Sequence, residues 1–149
     1  MNYRELYQKK LTTPEQAVEY ICSGDQCAAD IALAHSSKMY EAIGKAVKSG
    51  KLTDITQHSL LDIGAFPFFR EEFAGTYKGV SWFSQANARK AINGGFADVM
   101  PAYYRDIPGL FEAYVKPEVF IGVVSPMDKH GYFSTGCDSS ISTGILSNA

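Results

Sequence analysis

Two short stretches carry residue types able to do acid–base or anion-binding chemistry. The first is Ala34-His35-Ser36-Ser37, an imidazole directly followed by two hydroxyls. An imidazole changes charge near neutral pH, so His35 can serve as acid, base or hydrogen-bond donor. At a helix start, Ser36 or Ser37 can cap the exposed N–H groups, and that N-terminus can also hold an anion or a developing negative charge. A plainer reading stands beside this one: a serine caps the helix and His35 fills a turn. The second stretch is Ser125-Pro126-Met127-Asp128-Lys129-His130-Gly131-Tyr132-Phe133-Ser134. Asp128 and His130 form an acid–base pair on one reading. On the other, Ser-Pro and His-Gly punctuate a tight reverse connection in which Asp128 bonds its own backbone two residues on.

Other chemistries lack a motif. There is no G-x-S-x-G elbow, no G-x-G-x-x-G fingerprint and no Walker sequence, so neither an esterase nor a nucleotide-phosphate site is indicated. Cys22, Cys27 and Cys137 make no C-x-x-C pair and the three histidines lack ligand spacing, so no metal site is expected. The cysteines read as small buried hydrophobes in a protein of the reducing cytoplasm.

In open α/β folds, ligands collect beyond the carboxyl ends of the strands, so each stretch needs a strand in front of it. Residues 27–34 supply one, small and apolar but with Asp30 awkward inside it, and residues 119–124 supply the other. That second run, Val-Phe-Ile-Gly-Val-Val, lacks alternation, as a parallel strand covered on both faces does. Further strands are predicted at 53–60, 77–83 and 97–100. Helices are predicted from the capping box at Thr13-Pro14-Glu15-Gln16 through the stripe of Ala17, Val18, Tyr20 and Ile21. Others span 37–48, with Met39, Ile43, Ala46 and Val47 on one face, then 87–93 and 107–114. Strands alternating with helices predict an α/β fold, an open and mainly parallel sheet flanked by helices. Residues 61–75 are the long irregular stretch; three phenylalanines among Phe66-Pro67-Phe68-Phe69 mean that it packs on the body or meets a partner.

The chain has 149 residues and a net charge of −2. That length predicts a single domain over 1–149, and the charge gives no attraction to a phosphate backbone or an anionic membrane. No run of 18 apolar residues spans a bilayer and the N-terminus lacks a signal-peptide core. Neither a nucleic-acid nor a membrane partner is expected.

Several segments together resemble the N-terminal half of the acetyl-CoA hydrolase/transferase family, the group that includes 4-hydroxybutyrate CoA-transferase. They run from Tyr3-Arg4-Glu5-Leu6-Tyr7-Gln8-Lys9-Lys10 and Glu15-Gln16-Ala17-Val18 through Trp82-Phe83 and Ala88-Arg89 to Phe96-Ala97-Asp98-Val99-Met100-Pro101. Asp106-Ile107-Pro108 follows, and the 125–134 block is the most specific piece. The resemblance implies a NagB/RpiA/CoA-transferase-like fold, two similar α/β halves with the site between them. It implies a coenzyme A thioester as substrate, no permanently bound cofactor and a short carboxylic acid such as acetate as co-substrate. A glutamate of the C-terminal half forms the glutamyl-CoA intermediate. No glutamate of this chain lies in that motif, so the C-terminal catalytic domain is an implied partner, and a homo-oligomer is expected.

His35 falls where such members carry a histidine facing the catalytic glutamate, which makes it the auxiliary catalytic candidate. This chain departs by reading Ser36-Ser37-Lys38 where those members follow with a Glu-Pro pair. Ser36, Ser37, the segment from His58 to Gly64, and the turn from Ser125 to Gly131 with Pro126, Asp128 and His130 are then expected to line the substrate cleft, with backbone N–H groups doing much of the holding. Residues 138–149 match the start of what the family continues as a helix and further strand. The alternative is a non-catalytic binding or assembly module that keeps the fold.

Overall fold

The computed structural model describes residues 2–137 and 140–146, the side chain of Thr143 excepted. Among them, five strands form one parallel sheet in the order β4-β3-β2-β1-β5. The strands are β1 (Gln26–Ile31), β2 (Ile55–Leu60), β3 (Tyr77–Phe83), β4 (Asp98–Val99) and β5 (Val119–Ile121). The helices are α1 (Tyr3–Lys10), α2 (Pro14–Ala17), α3 (Ser37–Lys48), α4 (Ala86–Asn93), α5 (Ile107–Leu110) and α6 (Ser142–Leu146). The α/β fold read from the alternation of patterns is the fold observed.

Side-chain alternation along each strand builds two apolar layers. On one face Cys27, Ala29, Ile55 and Tyr77 pack against Tyr40, Ile43 and Val47 of α3 and Ala88 and Ala91 of α4. On the other, Ala28, Leu60 and Trp82 pack against Ile107, Phe111, Ile141 and Ile145. From β1 out to β4 the helices lie on the first face; on the return to β5 they lie on the second, as right-handed crossovers require. The direction of winding therefore reverses between β1 and β5, which makes their carboxyl ends the switch point where open α/β sheets place ligands.

The capping box forms as its spacing predicts: Gln16 N donates to Thr13 Oγ1 at 3.3 Å and Thr13 N to Gln16 Oε1 at 3.5 Å. The helix it starts is one turn long and continues as a 3-10 turn that buries Val18 and leaves Tyr20 in solvent. The irregular 61–75 stretch packs on the body: Phe66, Phe68, Phe69 and Phe73 are buried in the first layer, and Phe68 meets Tyr40 and Tyr77 edge to face.

Four expectations need correction. The first strand ends at Ile31, because Ala32 takes φ +48° and opens a 3-10 turn. The 119–124 run pairs through Ile121 and no further, and as an edge strand beside β1 alone it leaves Val123 and Val124 exposed. Its missing alternation reflects exposure beyond the sheet, not burial on both faces. The 107–114 helix becomes a π turn at Phe111–Val115. Of the cysteines, Cys27 is buried while Cys22 and Cys137 are exposed. Helix α1 was not foreseen; Asn2 caps it through its side chain. Asp30 is reconciled with its strand by hydrogen bonds from Ile31 N, Ser140 Oγ and Ser142 N, which tie α6 to β1. Residues 138, 139 and 147–149 of the expected C-terminal helix and strand lie outside the described residues.

Candidate functional site

Because all five strands are parallel, their carboxyl ends form one crest. His35 stands there, one turn past β1, and Asp62 two residues past β2, its neighbour in the sheet. Their side chains, 1% and 0% exposed, approach each other with His35 Nδ1 3.9 Å from Asp62 Oδ1. Tyr40 and Phe66 close over the imidazole edge to face, with ring centroids 6.0 and 5.5 Å away. Ser59 Oγ donates to Asp62 Oδ2 at 3.0 Å. Burial pushes the Asp62 carboxyl up to about 7, offset in part by the Ser59 hydrogen bond, and the phenol of Tyr40 is pushed well above its usual value by the same cause. Sequence reading expected the segment from His58 to Gly64 at the cleft without singling out Asp62; the pairing of β1 with β2 brings it to His35.

The remaining expected residues fall into three places. Ser36 is the N-cap residue of α3 by position, yet its side chain makes no capping hydrogen bond, and neither serine fulfils the capping expectation. Ser36 instead lines a cleft of about 650 Å³, with Thr12, Thr13, Met39 and the β5 residues through Gly122, at the switch point. Ser37 is exposed in the first turn of α3.

His58 points to the opposite face of the sheet from His35. Its Nδ1 accepts from Trp82 Nε1 at 3.0 Å, and its Nε2 lies 2.7 Å from Gln26 Oε1, so the ring is neutral with Nε2 carrying the proton. Burial lowers its pKa to about 4. Phe111 stacks on Trp82 and meets His58 edge to face. This imidazole bridges three strands beneath α5.

The 125–134 loop follows β5. Ser125 and Ser134 exchange a backbone and a side-chain hydrogen bond, each 2.8 Å. Asp128 Oδ1 accepts from the N–H groups of His130 and Tyr132 at 2.8 and 2.9 Å, so the aspartate serves the turn, and its side chain holds backbone in place of an acid–base partner. Gly131, at φ +91°, passes so close to the Tyr3 ring that a Cβ would lie 2.8 Å from it. The loop thus seats on α1, where Met127, Asp128, His130 and Gly131 border a second cleft with Asn2, Tyr3 and Arg4. Pro126 is exposed beside it.

Each strand end of the crest carries an exposed apolar side chain. Leu33, Ile63, Phe83, Met100, Val123 and Val124, at or just past the ends of the five strands, are each 39–65% exposed. Large exposed apolar side chains gathered at one end of a sheet mark an interaction face or a ligand groove. Among the described residues no cluster of three or more His, Cys, Asp or Glu is set to hold a metal ion, and no helix is long and apolar enough to cross a membrane.

The acetyl-CoA hydrolase/transferase N-terminal domain model matches residues 1–149. The chain belongs to this family. It is 31% identical over 136 residues to the succinyl-CoA:cyclohexane-1-carboxylate CoA transferase of Geobacter metallireducens, covering 89% of this chain and 30% of that protein. It is 31% identical over 160 residues to the butyryl-CoA:acetate CoA-transferase of Anaerostipes caccae, covering 100% of this chain and 33% of that protein. The crystal structure of RipA from Yersinia pestis superposes with a TM-score of 0.93 at 30% identity, covering 100% of this chain and 37% of that one. The 4-hydroxybutyrate CoA-transferase of Porphyromonas gingivalis shares the fold, with a TM-score of 0.66 at 17% identity over 99% of this chain and 33% of that one. The chain spans about a third of the length of the curated relatives it matches.

Proposed function

We propose that this chain is the N-terminal part of a CoA-transferase site, which moves coenzyme A between an acyl-CoA and a short carboxylic acid through a glutamyl-CoA intermediate. The catalytic glutamate belongs to a C-terminal domain that meets the apolar crest. The crest carries this reading: a row of exposed apolar residues at the strand ends is what a domain facing a second half across an acyl-thioester cleft requires.

In this reading His35 is the auxiliary catalytic group of this half. Its burial means that a reactant reaches it after the segment from Asp62 to Phe66 gives way, or that it acts through a neighbour. Ser36, with the first-turn N–H groups of α3 that carry no side-chain cap, forms an anion-stabilising wall of the switch-point cleft, with Ser37 exposed next to it. The 125–131 backbone, held in shape by Asp128 and Gly131, supports the acyl and pantetheine portions. His58 holds strands together, and its part in the cleft is through the position of β2. The chain works in the cytoplasm as part of a homo-oligomer.

The test is exchange. Joined to the C-terminal remainder of a relative such as the Anaerostipes caccae enzyme, the chain is expected to exchange coenzyme A between butyryl-CoA and labelled acetate, while the 149-residue chain alone does not. Turnover by the isolated chain overturns the proposed division of labour.

A further inference from the structure

The surface around α1 gathers cations that no carboxylate neutralises. Among the described residues, Lys45, Lys48, Lys51, Arg70, Lys78 and Arg105 each lie beside a carboxylate, whereas Arg4 and Lys129 enter no ion pair. These two border one cleft of about 540 Å³ together with Asn2, Tyr3, His130 and Gly131. The carboxylate in its wall is Asp128, and one of its oxygens is taken by the N–H groups of His130 and Tyr132. Two cations and an imidazole against one carboxylate give this cleft a local attraction for anions, although the chain as a whole carries a net charge of −2.

The cleft is built, because the loop after β5 is locked to the helix. Gly131 takes φ +91° against the Tyr3 ring, and Tyr7 meets Phe133 with ring centroids 5.7 Å apart. The same contact leaves an apolar groove of about 480 Å³ along α1, walled by Leu6, Tyr7, Leu11, Met127 and Phe133. Tyr3, Met127 and Gly131 border both the cationic cleft and this groove, and Thr12 borders both the groove and the switch-point cleft. From Arg4 to Thr12 the helical rise amounts to about 12 Å. Charge falls away along this path. Lys10 is the one cation at the groove, and the walls of the switch-point cleft hold none; their single carboxylate, Glu118, accepts from Gln26 N at 2.8 Å.

We propose that this path seats coenzyme A lengthwise: Arg4, Lys129 and His130 bind the phosphates of its nucleotide end, the pantetheine arm lies in the groove between α1 and Phe133, and the acyl thioester reaches the switch-point cleft. Charge complementarity carries the assignment. The ligand is anionic at one end and uncharged along its arm, and the path is cationic at one end and free of cations at the other. Arginine and lysine grip phosphate oxygens through charge-assisted hydrogen bonds, while a flexible arm of methylenes and amides suits an apolar wall edged by the hydroxyls of Thr12 and Ser36. Helix α1, none of whose residues is buried, thereby gains a binding role. The identity of the occupant rests on the CoA-transferase reading; the preference of the cation cluster for phosphate does not.

Amide NMR of the 149-residue chain tests the site directly. Titration with 3′-phospho-ADP, the nucleotide end of coenzyme A, is expected to shift the signals of residues 3–5 and 128–131, and added NaCl to weaken the binding. Pantetheine is expected to shift Leu6, Tyr7, Leu11 and Phe133 instead. Arg4→Ala and Lys129→Ala are each expected to weaken nucleotide binding about 10-fold and to leave the pantetheine shifts in place. In the chain joined to a C-terminal remainder, the same variants are expected to raise KM for butyryl-CoA about 10-fold while KM for butyryl-pantetheine stays where it was. Nucleotide that leaves residues 3–5 and 128–131 unshifted overturns the proposal, and so does a KM for butyryl-CoA that neither variant moves. Inorganic phosphate that shifts the same amides and binds as tightly as the nucleotide overturns the coenzyme assignment. Absence of exchange in the joined wild type, with the nucleotide still held by Arg4 and Lys129, refutes the CoA-transferase reading and leaves the phosphate site standing.

Discussion

The two buried histidines of this sheet have opposite situations. His58 has both ring nitrogens committed, Nδ1 to Trp82 and Nε2 to Gln26, in the layer under α5. His35 lies in the other layer, past the strand end, with a carboxylate at Nδ1 that titrates near neutrality. The first is fixed as a neutral strut; the second lies beside a buried carboxyl pushed up to about 7. Residue type alone does not separate them, because what separates them is which neighbours the sheet order supplies.

Substitutions sharpen that contrast, and the largest effect expected is on activity. In the assembled enzyme, His35→Asn should lower coenzyme A exchange by about 10²-fold, the lower end of what a positioned acid–base group contributes. The unfolding midpoint of the chain in urea should move little. An equal loss from a surface variant away from the clefts, such as Lys51→Ala, would erase the distinction.

His58→Ala should act on stability instead. It leaves the Trp82 N–H without its buried acceptor and opens space beneath Phe111, so a loss of about 3 kcal/mol is expected in urea unfolding. Trp82→Phe keeps most of the ring and removes one donor, and about 1–2 kcal/mol is expected.

The smallest effect is a difference in pH slope. The Asp62 carboxyl is raised from 3.8 to about 7 in the folded chain. The folded state therefore binds the extra proton, and its contribution is full below pH 4 and lost as pH rises to about 7. His58 is lowered from 6.5 to about 4, so the unfolded state binds the extra proton and stability is lost as pH falls from 6.5 to 4. The slopes oppose each other between pH 4 and 6.5. Asp62→Asn should unmask stability rising with pH there, and His58→Gln stability falling, by denaturation across pH 4–8; parallel curves would contradict both assignments.

What the sequence made legible follows local rules. Thr13, Pro14 and Gln16 announce a helix start through groups within one turn of each other, and Met39, Ile43 and Val47 mark the inner face of α3 by spacing alone. Residues 119–124 misled because an apolar run looks the same whether a second sheet neighbour covers it or an exposed crest displays it. His35 was visible as a candidate. The segment from His58 to Gly64 was expected at the cleft, but Asp62 did not stand out within it, because its meaning depends on β2 lying beside β1 and on a left-handed Leu61 that no glycine signals. The 125–134 motif was recognised, but its aspartate turned out to bond backbone, as turn chemistry in the sequence already allowed.

The measurement closest to the central claim is label exchange from acetate into butyryl-CoA, run side by side on the isolated chain, on the chain joined to the C-terminal remainder of a relative, and on that assembly carrying His35→Asn. The account predicts exchange in the joined wild type, none in the isolated chain and about 10²-fold less in the variant. Exchange by the isolated chain, or undiminished exchange in the His35 variant, would contradict it.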